Sequence, residues 1–466
     1  MGETNWAGNH TYRAARLHRP SSRQQVRELV AGASRLRVLG SRHSFNDIAD
    51  ADELLSLDWL PAGVAVDHAA GTVSCSGAVR YGELAEALAA EGVALANLAS
   101  LPHISVAGAV ATGTHGSGDA NGSLATAVAR LELVTASGET LTASRGDPDF
   151  DGLVVGLGAL GVVTRVTLDV EPAYQVRQRA YEGLAWPSLF EHLDTVTAAG
   201  YSVSLFTRWG EAVDQVWVKS RVTGEPERVA GDLFGAVPAT VDRHPILGLD
   251  PVNCTPQLGV PGRWSDRLPH FRMGFTPSSG QELQSEYLLP RRHAVAALRS
   301  LLSLAEVVRP VLQVSELRTV AADRLWMSPQ YERDTLAVHF TWEPDWARVR
   351  RVLLEVEAAL TPFGARPHWA SCSWPTPPPS PSCTRACPTS PGWWTGSTRA
   401  GCSPTTGCAS ASSAPSAAWP PGRRRWPGSG RRCAGRPRRT AGSGRPSAAS
   451  RRPGAGSGRP GGWPGP

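Results

Sequence analysis

Cysteine is scarce in the first 369 of the 466 residues: only Cys75 and Cys254 occur there, too few for a disulfide framework. No uninterrupted apolar stretch approaches the ~20 residues of a membrane-spanning helix, so no membrane partner is expected. The opening MGETNWAGNHTYRAAR lacks the apolar centre of a secretory signal. These absences predict a reduced, cytoplasmic protein. The last 97 residues lack far more. From Ala370 onward there is no acidic residue and no Leu, Ile, Val or Phe; the stretch is written in Ala, Ser, Cys, Trp, Pro, Thr, Arg and Gly alone. Nothing there can build a core, so this tail is expected to be disordered. Its six cysteines repeat no metal-ligand spacing, and no metal site is expected.

Charge divides at the same place. The net +6 of the whole chain suggests a nucleic-acid binder, but 14 of the 47 basic residues lie in the tail. The body carries 33 basic against 41 acidic residues, a net of −8. The arginine run RRRWPGSGRRCAGRPRR is the one nucleic-acid-like feature, and accidental reading of GC-rich codons produces the same look. No nucleic-acid partner is expected.

What is present reads as α+β. SSRQQVRELVAGA opens with capping serines and continues with helical apolar spacing, RVLGS follows as a short strand, and GELAEALAAEG is a second helix closed by Gly92. LELVTASGETLTA predicts a hairpin at Ser137-Gly138, and GVVTRVTLDV alternates cleanly, with Val162, Thr164, Val166, Leu168 and Val170 on one face. From about Glu171 the strands YSVSLFTRW, QVWVKSR, LQVSELRTV and LAVHFTW join two long helices, RRHAVAALRSLLSLAEVV and DWARVRRVLLEVEAAL. That combination predicts an antiparallel sheet covered by helices on one side.

Two loops carry candidate chemistry. VLGSRHSFND places a histidine after a strand and a Gly-Ser turn; SLPHISVAGAVATGTHGSG is dense in glycine and hydroxyl residues. Such loops let backbone N–H groups approach a pyrophosphate, although a glycine-rich turn is more often only a turn. Neither fits G-x-G-x-x-G or a P-loop. Glu316 and Arg318 lie two apart on a strand and share a face, so they can accept from and donate to vicinal hydroxyls, or form an ordinary surface ion pair.

Six stretches, GSRHSFND, ASLPHISVAGAVATGTHGSG, GALGVVTRVTLDVEPAY, FTPSSGQELQSEY, SELRTVAAD and ARPHW, occur in the order found in bacterial alditol (xylitol/sorbitol) oxidases. The chain from about Thr4 to Trp369 resembles that family of vanillyl-alcohol-oxidase-type flavoproteins; the aldonolactone oxidases share the histidine loop and the HW ending. The resemblance implies an FAD-binding domain (PCMH type) over 1–178, a substrate or cap domain with an antiparallel sheet over 179–369, and the tail over 370–466. It implies FAD attached covalently through His43, in a loop of Gly40, Ser41, Arg42 and Ser44, with Arg42 where the family often has glycine. Ser105, Gly108, Thr112, Gly113, Thr114, His115 and Gly116 are implied on the pyrophosphate side, with a backbone-satisfied buried histidine the other reading of His115. Gly161 and Val162 are implied beside the flavin, with core packing the alternative. Ser100, Glu316, Arg318 and Thr341 are implied to bind a polyol, Glu316 and Arg318 catalytically, with O2 as the second substrate and a monomeric protein.

The resemblance stops at Trp369. The family follows HWG with a lysine beside the reacting hydroxyl; here Trp369 is followed by Ala370 and Ser371, which stands at the lysine position. WASCSW can be written TGG GCA AGC TGT TCC TGG; one G restored after the first codon gives Trp-Gly-Lys-Leu-Phe-Leu. The same shift turns two later stretches of the tail into family-like strings. The residues from Ala370 on are therefore expected to be an out-of-frame reading, which leaves a catalytically dead flavoprotein remnant as the alternative to an active oxidase.

Overall fold

The structure, a computed structural model, describes residues 3–224, 231–274 and 282–373. Near the start, α1 (Arg23–Gly32) forms where Ser22 accepts the Gln25 N–H and where Val26 and Val30 fall on one buried face. Three short parallel strands lie beside it: β1 (Arg16–His18), β2 (Leu36–Val38) and β3 (Glu53–Leu55), in the order β1-β3-β2. A five-stranded antiparallel sheet follows, made of β4 (Ala65–Asp67), β5 (Thr72–Ser76), β6 (Val128–Val134), β7 (Thr140–Ser144) and β8 (Val162–Asp169) in the order β4-β5-β8-β6-β7. Every second residue of β8 from Val162 to Leu168 is buried, as the alternation requires. Helices α2 (Tyr81–Ala90) and α3 (Val106–Ala111) complete the apolar core of this half, with Leu84, Leu88 and Val106 fully enclosed.

The second half is built on one nine-stranded antiparallel sheet. Its main strands are β9 (Gln175–Ala185), β10 (Ser202–Thr207), β11 (Ala212–Arg221), β12 (Leu283–Pro290), β13 (Leu312–Val320), β14 (Thr335–Trp342) and the short β15 (Arg366–Pro367), in the order β9-β11-β10-β13-β14-β12-β15. Val237–Pro238 and Gly262–Arg263 both pair with β9. Alternation gives this sheet two unlike faces. Leu205, Val216, Leu317, Val338, Phe340 and Trp342 look one way, into a core shared with α4 (Trp186–Thr197), α5 (Ala294–Leu302) and α6 (Trp346–Leu360). The other face is polar: Glu286, His339 and Glu316 lie opposite one another on β12, β14 and β13. Helices cover one side, as expected; the polar side turns toward the first half.

Three details differ from the sequence reading. The long helix from Arg291 is broken after Leu302, where the Ser303 hydroxyl bonds back to the Ser300 carbonyl; a single turn, Ala305–Val308, follows. A domain boundary at 178 falls inside β9, and the crossing between halves lies just before Gln175. Ala370, Ser371 and Cys372, assigned above to the disordered tail, are packed: Phe45 N–H donates to the Ala370 carbonyl (2.7 Å) and Cys372 N–H to the Gln284 carbonyl (2.8 Å). These bonds use backbone atoms only, so they survive a change of side chains. The remainder of the tail, 374–466, and the FTPSSGQ part of FTPSSGQELQSEY lie outside the described residues.

Gly161 turns the chain into β8 at φ 150°, and a β-carbon there would sit 2.5 Å from the Val134 carbonyl oxygen. Gly161→Ala is therefore expected to lower unfolding stability by about 1–3 kcal/mol, read as a drop in Tm. An unchanged Tm would contradict this packing.

Candidate functional site

One cavity of about 1510 Å³ lies between the histidine loop of the first half and the polar sheet face of the second. That exceeds the several hundred Å³ usual for a single small ligand and leaves room for a dinucleotide together with a substrate. The loop 40–44 forms one wall. Gly40 and Gly108 close on Ser105: a β-carbon at either would lie 2.8 or 2.7 Å from the Ser105 hydroxyl oxygen. Ser41 Oγ accepts the Ser105 N–H (2.9 Å), locking the two glycine-rich loops together.

Arg42 adopts the left-handed conformation, φ 65°, which explains why glycine suits this position. The strain of about 1–2 kcal/mol is partly offset by a 2.8 Å ion pair with Glu3. The His43 ring stacks on Trp6 with centroids 5.4 Å apart, and its Nδ1 is buried without a hydrogen-bond partner among the described residues. Burial lowers its pKa to about 4, so the ring is neutral at pH 7 with a lone pair available.

The opposite wall is the polar sheet face. Arg318 reaches Glu286 Oε1 (2.6 Å) and donates to Ser100 Oγ (3.3 Å), while its Nε lies 3.6 Å from Glu316 Oε1 with no hydrogen-bond partner among the described residues. All three charged groups are buried, so Glu316 and Arg318 are not a surface pair. Burial alone would raise the Glu286 carboxyl; the neighbouring His115 and Arg318 outweigh it and hold the group well below the usual range. Glu316 is likewise held low, against burial, chiefly by Arg318 and His270. His115 Nδ1 donates to the Gly116 carbonyl (2.9 Å), and its Nε2 lies 3.4 Å from Glu286 Oε2. Nε2 of His115, Nδ1 of His339 and Nε2 of His368 are also buried without hydrogen-bond partners among the described residues. A cavity ringed by such atoms is built for a polar occupant.

Of the residues singled out in the sequence, Gly40, Ser41, Arg42, His43, Ser44, Ser100, Ser105, Gly108, Thr112, Thr114, His115, Gly161, Glu316, Arg318 and Thr341 all line this cavity. Gly113, Gly116 and Val162 stand behind its wall. Gly113 supplies a left-handed turn at φ 67°, Gly116 a close approach to Asn97 and Leu98, and Val162 packs with Val26, Leu55 and Val134. Glu286, His270, His339 and His368 line the cavity and were not singled out. Two of them, Glu286 and His339, were within reach, because Gln284/Glu286, Glu316/Arg318 and His339/Thr341 repeat one signal: two polar residues two apart on an otherwise apolar strand.

A cavity between a glycine-serine loop domain and an antiparallel cap sheet is the arrangement that the resemblance to flavin-dependent oxidases of the vanillyl-alcohol-oxidase type implies. Residues 14–144 match the FAD binding domain family, and residues 278–372 match the D-arabinono-1,4-lactone oxidase family. The fold is shared with a cholesterol oxidase from Brevibacterium sterolicum, at TM-score 0.64 and 17% identity, over 79% of this chain and 86% of that one. An alditol oxidase from a Streptomyces species is 52% identical over 371 residues, 78% of this chain and 88% of the relative. An L-gulono-1,4-lactone dehydrogenase from Mycobacterium tuberculosis is 28% identical over 392 residues, 80% of this chain and 90% of that one. The chain belongs to the alditol oxidase family and is an FAD-dependent oxidoreductase. Among the described residues no helix is long and apolar enough to cross a membrane.

His43, His270 and His368 are each lowered by burial from 6.5 to about 4. The unfolded chain binds protons on these rings below about 6.5 and the folded chain does not until about 4, so stability is full above that window and falls as pH drops through it. Urea midpoints are expected to decline from pH 6.5 to 4, less steeply in His368→Gln. Parallel declines in the two proteins would refute a buried neutral His368.

Proposed function

We propose that the chain oxidises the terminal carbinol of alditols such as xylitol and sorbitol to the aldose, with O2 reduced to hydrogen peroxide and FAD attached covalently through His43. One observation carries the reading: the neutral His43, its Nδ1 buried without a hydrogen-bond partner among the described residues, faces, across a single cavity, a buried Glu-Arg-Glu cluster suited to hydroxyl groups. The glycine-serine cradle of Gly40, Ser105 and Gly108 fits a dinucleotide whose pyrophosphate needs backbone at close range. Bound FAD supplies a hydride acceptor for the carbinol carbon and passes the two electrons to O2.

The chain's own residues do the rest. The neutral imidazole of His43, stacked on Trp6, would be the group that holds the cofactor in place and prevents its loss. Ser100, Glu316 and Thr341 take hydroxyl groups of the polyol, and Glu316, an acceptor held ionised, orients the one next to the reacting carbon. Arg318 places its cation at the reacting oxygen and stabilises the negative charge left as the hydroxyl proton departs. Glu286 keeps the guanidinium from turning away. Ser371 is buried in the cavity wall and brings no charge, so the stabilisation rests on Arg318 alone.

The match of residues 278–372 to a lactone oxidase family favours a second reading, oxidation of an aldonolactone. Peroxide release decides between them: xylitol or sorbitol is expected to give it faster than L-gulono-1,4-lactone, and the reverse order selects the second reading. Arg318→Met is expected to lower kcat/KM about 10²–10³-fold, and Ser371→Lys to raise kcat above the parent. Flavin colour should stay with acid-precipitated protein and leave it in His43→Ala; colour lost from the parent as well would remove the covalent assignment.

A further inference from the structure

The 466 residues contain a single lysine, Lys219, and it is 1% exposed. It lies on β11, two residues beyond Trp217, on the polar face of the sheet. Its Nζ donates to the Leu268 carbonyl and lies 2.9 Å from His270 Nδ1. On the far side of the imidazole, His270 Nε2 lies 2.7 Å from Glu316 Oε1. Phe206 and Trp217 meet the ring edge-on, at 5.4 and 5.2 Å, and hold its plane. His270 and Glu316 line the cavity, whereas Lys219 stands behind them, so the amine can act on a bound molecule only through the ring.

The contacts fix which nitrogen carries the proton. An ammonium has only hydrogens to offer, so Nδ1 must accept; the ring proton then sits on Nε2 and is donated to Glu316. The charges also balance: the carboxylates of Glu316 and Glu286 face the cations of Arg318 and Lys219. We propose that Lys219 and His270 are positioning residues for the alditol site, Lys219 setting the Nε2–H tautomer of His270 and His270 aiming the Glu316 carboxylate at a substrate hydroxyl. This rests on the reading of Glu316 as a substrate contact.

The pair also confers a pH dependence. The groups facing Lys219 are Glu316 and Arg318 on β13 and Cys254 and His270 in the irregular segment between β11 and β12. Burial lowers the amine to about 7, with Glu316 opposing the shift. Above about 7 a neutral amine can itself accept from Nδ1, which lets Nε2 turn a lone pair toward the carboxylate. KM for the alditol should therefore rise as pH passes about 7, and this limb should be missing from Lys219→Met.

A chain with one lysine permits a direct test. Holoenzyme grown with ζ-¹⁵N lysine gives one side-chain signal, whose titration reports Lys219 alone. Its midpoint is expected near 7 and should fall in Glu316→Gln, which removes the carboxylate favouring the charged amine. In turnover, Lys219→Met and His270→Phe are expected to raise KM for xylitol about tenfold with flavin content unchanged. His270→Gln, whose amide can accept from Lys219 and donate to Glu316, should recover most of the loss. A midpoint indifferent to Glu316→Gln, or a Lys219→Met enzyme with the parent's KM and pH profile, overturns the proposal. Should Lys219→Met fail to fold, the signal in Glu316→Gln still decides. Should the parent oxidise no alditol, the function reading fails, while the titration separately reports whether the amine and carboxylate are coupled.

Discussion

The buried guanidinium of Arg318 is the constraint around which the second half is arranged. An ion taken out of water is stable in an interior only with counter-charges and filled hydrogen bonds. Glu286, reaching across from β12 on the far side of β14, and Glu316 from its own strand supply the charges, and Ser100 reaches in from the other half of the molecule. The antiparallel register makes this possible, because Glu286, His339 and Glu316 are cross-strand partners and project from the same face. The opposite face of the same strands is aliphatic and aromatic and is sealed by three helices. A rigid apolar layer therefore backs a charged layer, and the charges cannot relax toward water.

The first half answers with a wall of small residues. Gly40 brings the histidine loop, and Gly108 the first turn of α3, against Ser105, and the histidine loop is tied to the segment after β15 as well as to the N-terminal residues. Asn46 Nδ2 donates to the carbonyls of Trp369 and Ser371, both at 2.9 Å, so the last described residues brace the loop that carries His43. The change of residue type at Ala370 thus falls where backbone carbonyls of 369–371 hold the histidine loop, although the Cys372 side chain also packs in the core. The charge that a lysine would bring at Ser371 is a different matter, since no backbone group replaces a cation.

Much of this was legible in the sequence because burial leaves a periodic mark. The alternation of β8, the capping serine of α1 and the stripe of α6 each follow from local spacing, and Glu316 and Arg318 declared a shared face by being two apart. Glu286 and His339 carried the same mark and passed unread, because a lone polar residue in an apolar strand looks like a solvent-facing position until its neighbours are known. His270 and Lys219 were out of reach: His270 lies in an irregular segment, and its tie to Glu316 spans 46 residues. Gly113, Gly116 and Val162 show the converse, residues next to a site in sequence whose work is to shape the turn or fill the core behind it.

The central claim is that a flavin held by the His43 loop and a polyol held by the Arg318 cluster meet in one cavity. Anaerobic mixing of the purified chain with xylitol tests it most directly, by following the visible absorbance of its oxidised flavin. Bleaching that saturates with xylitol and recovers on admitting O2, with peroxide appearing in equal amount, is the predicted result. A flavin that stays oxidised in xylitol and sorbitol yet is bleached by a chemical reductant would contradict the account, because the cofactor would then be present without the substrate site it is said to face.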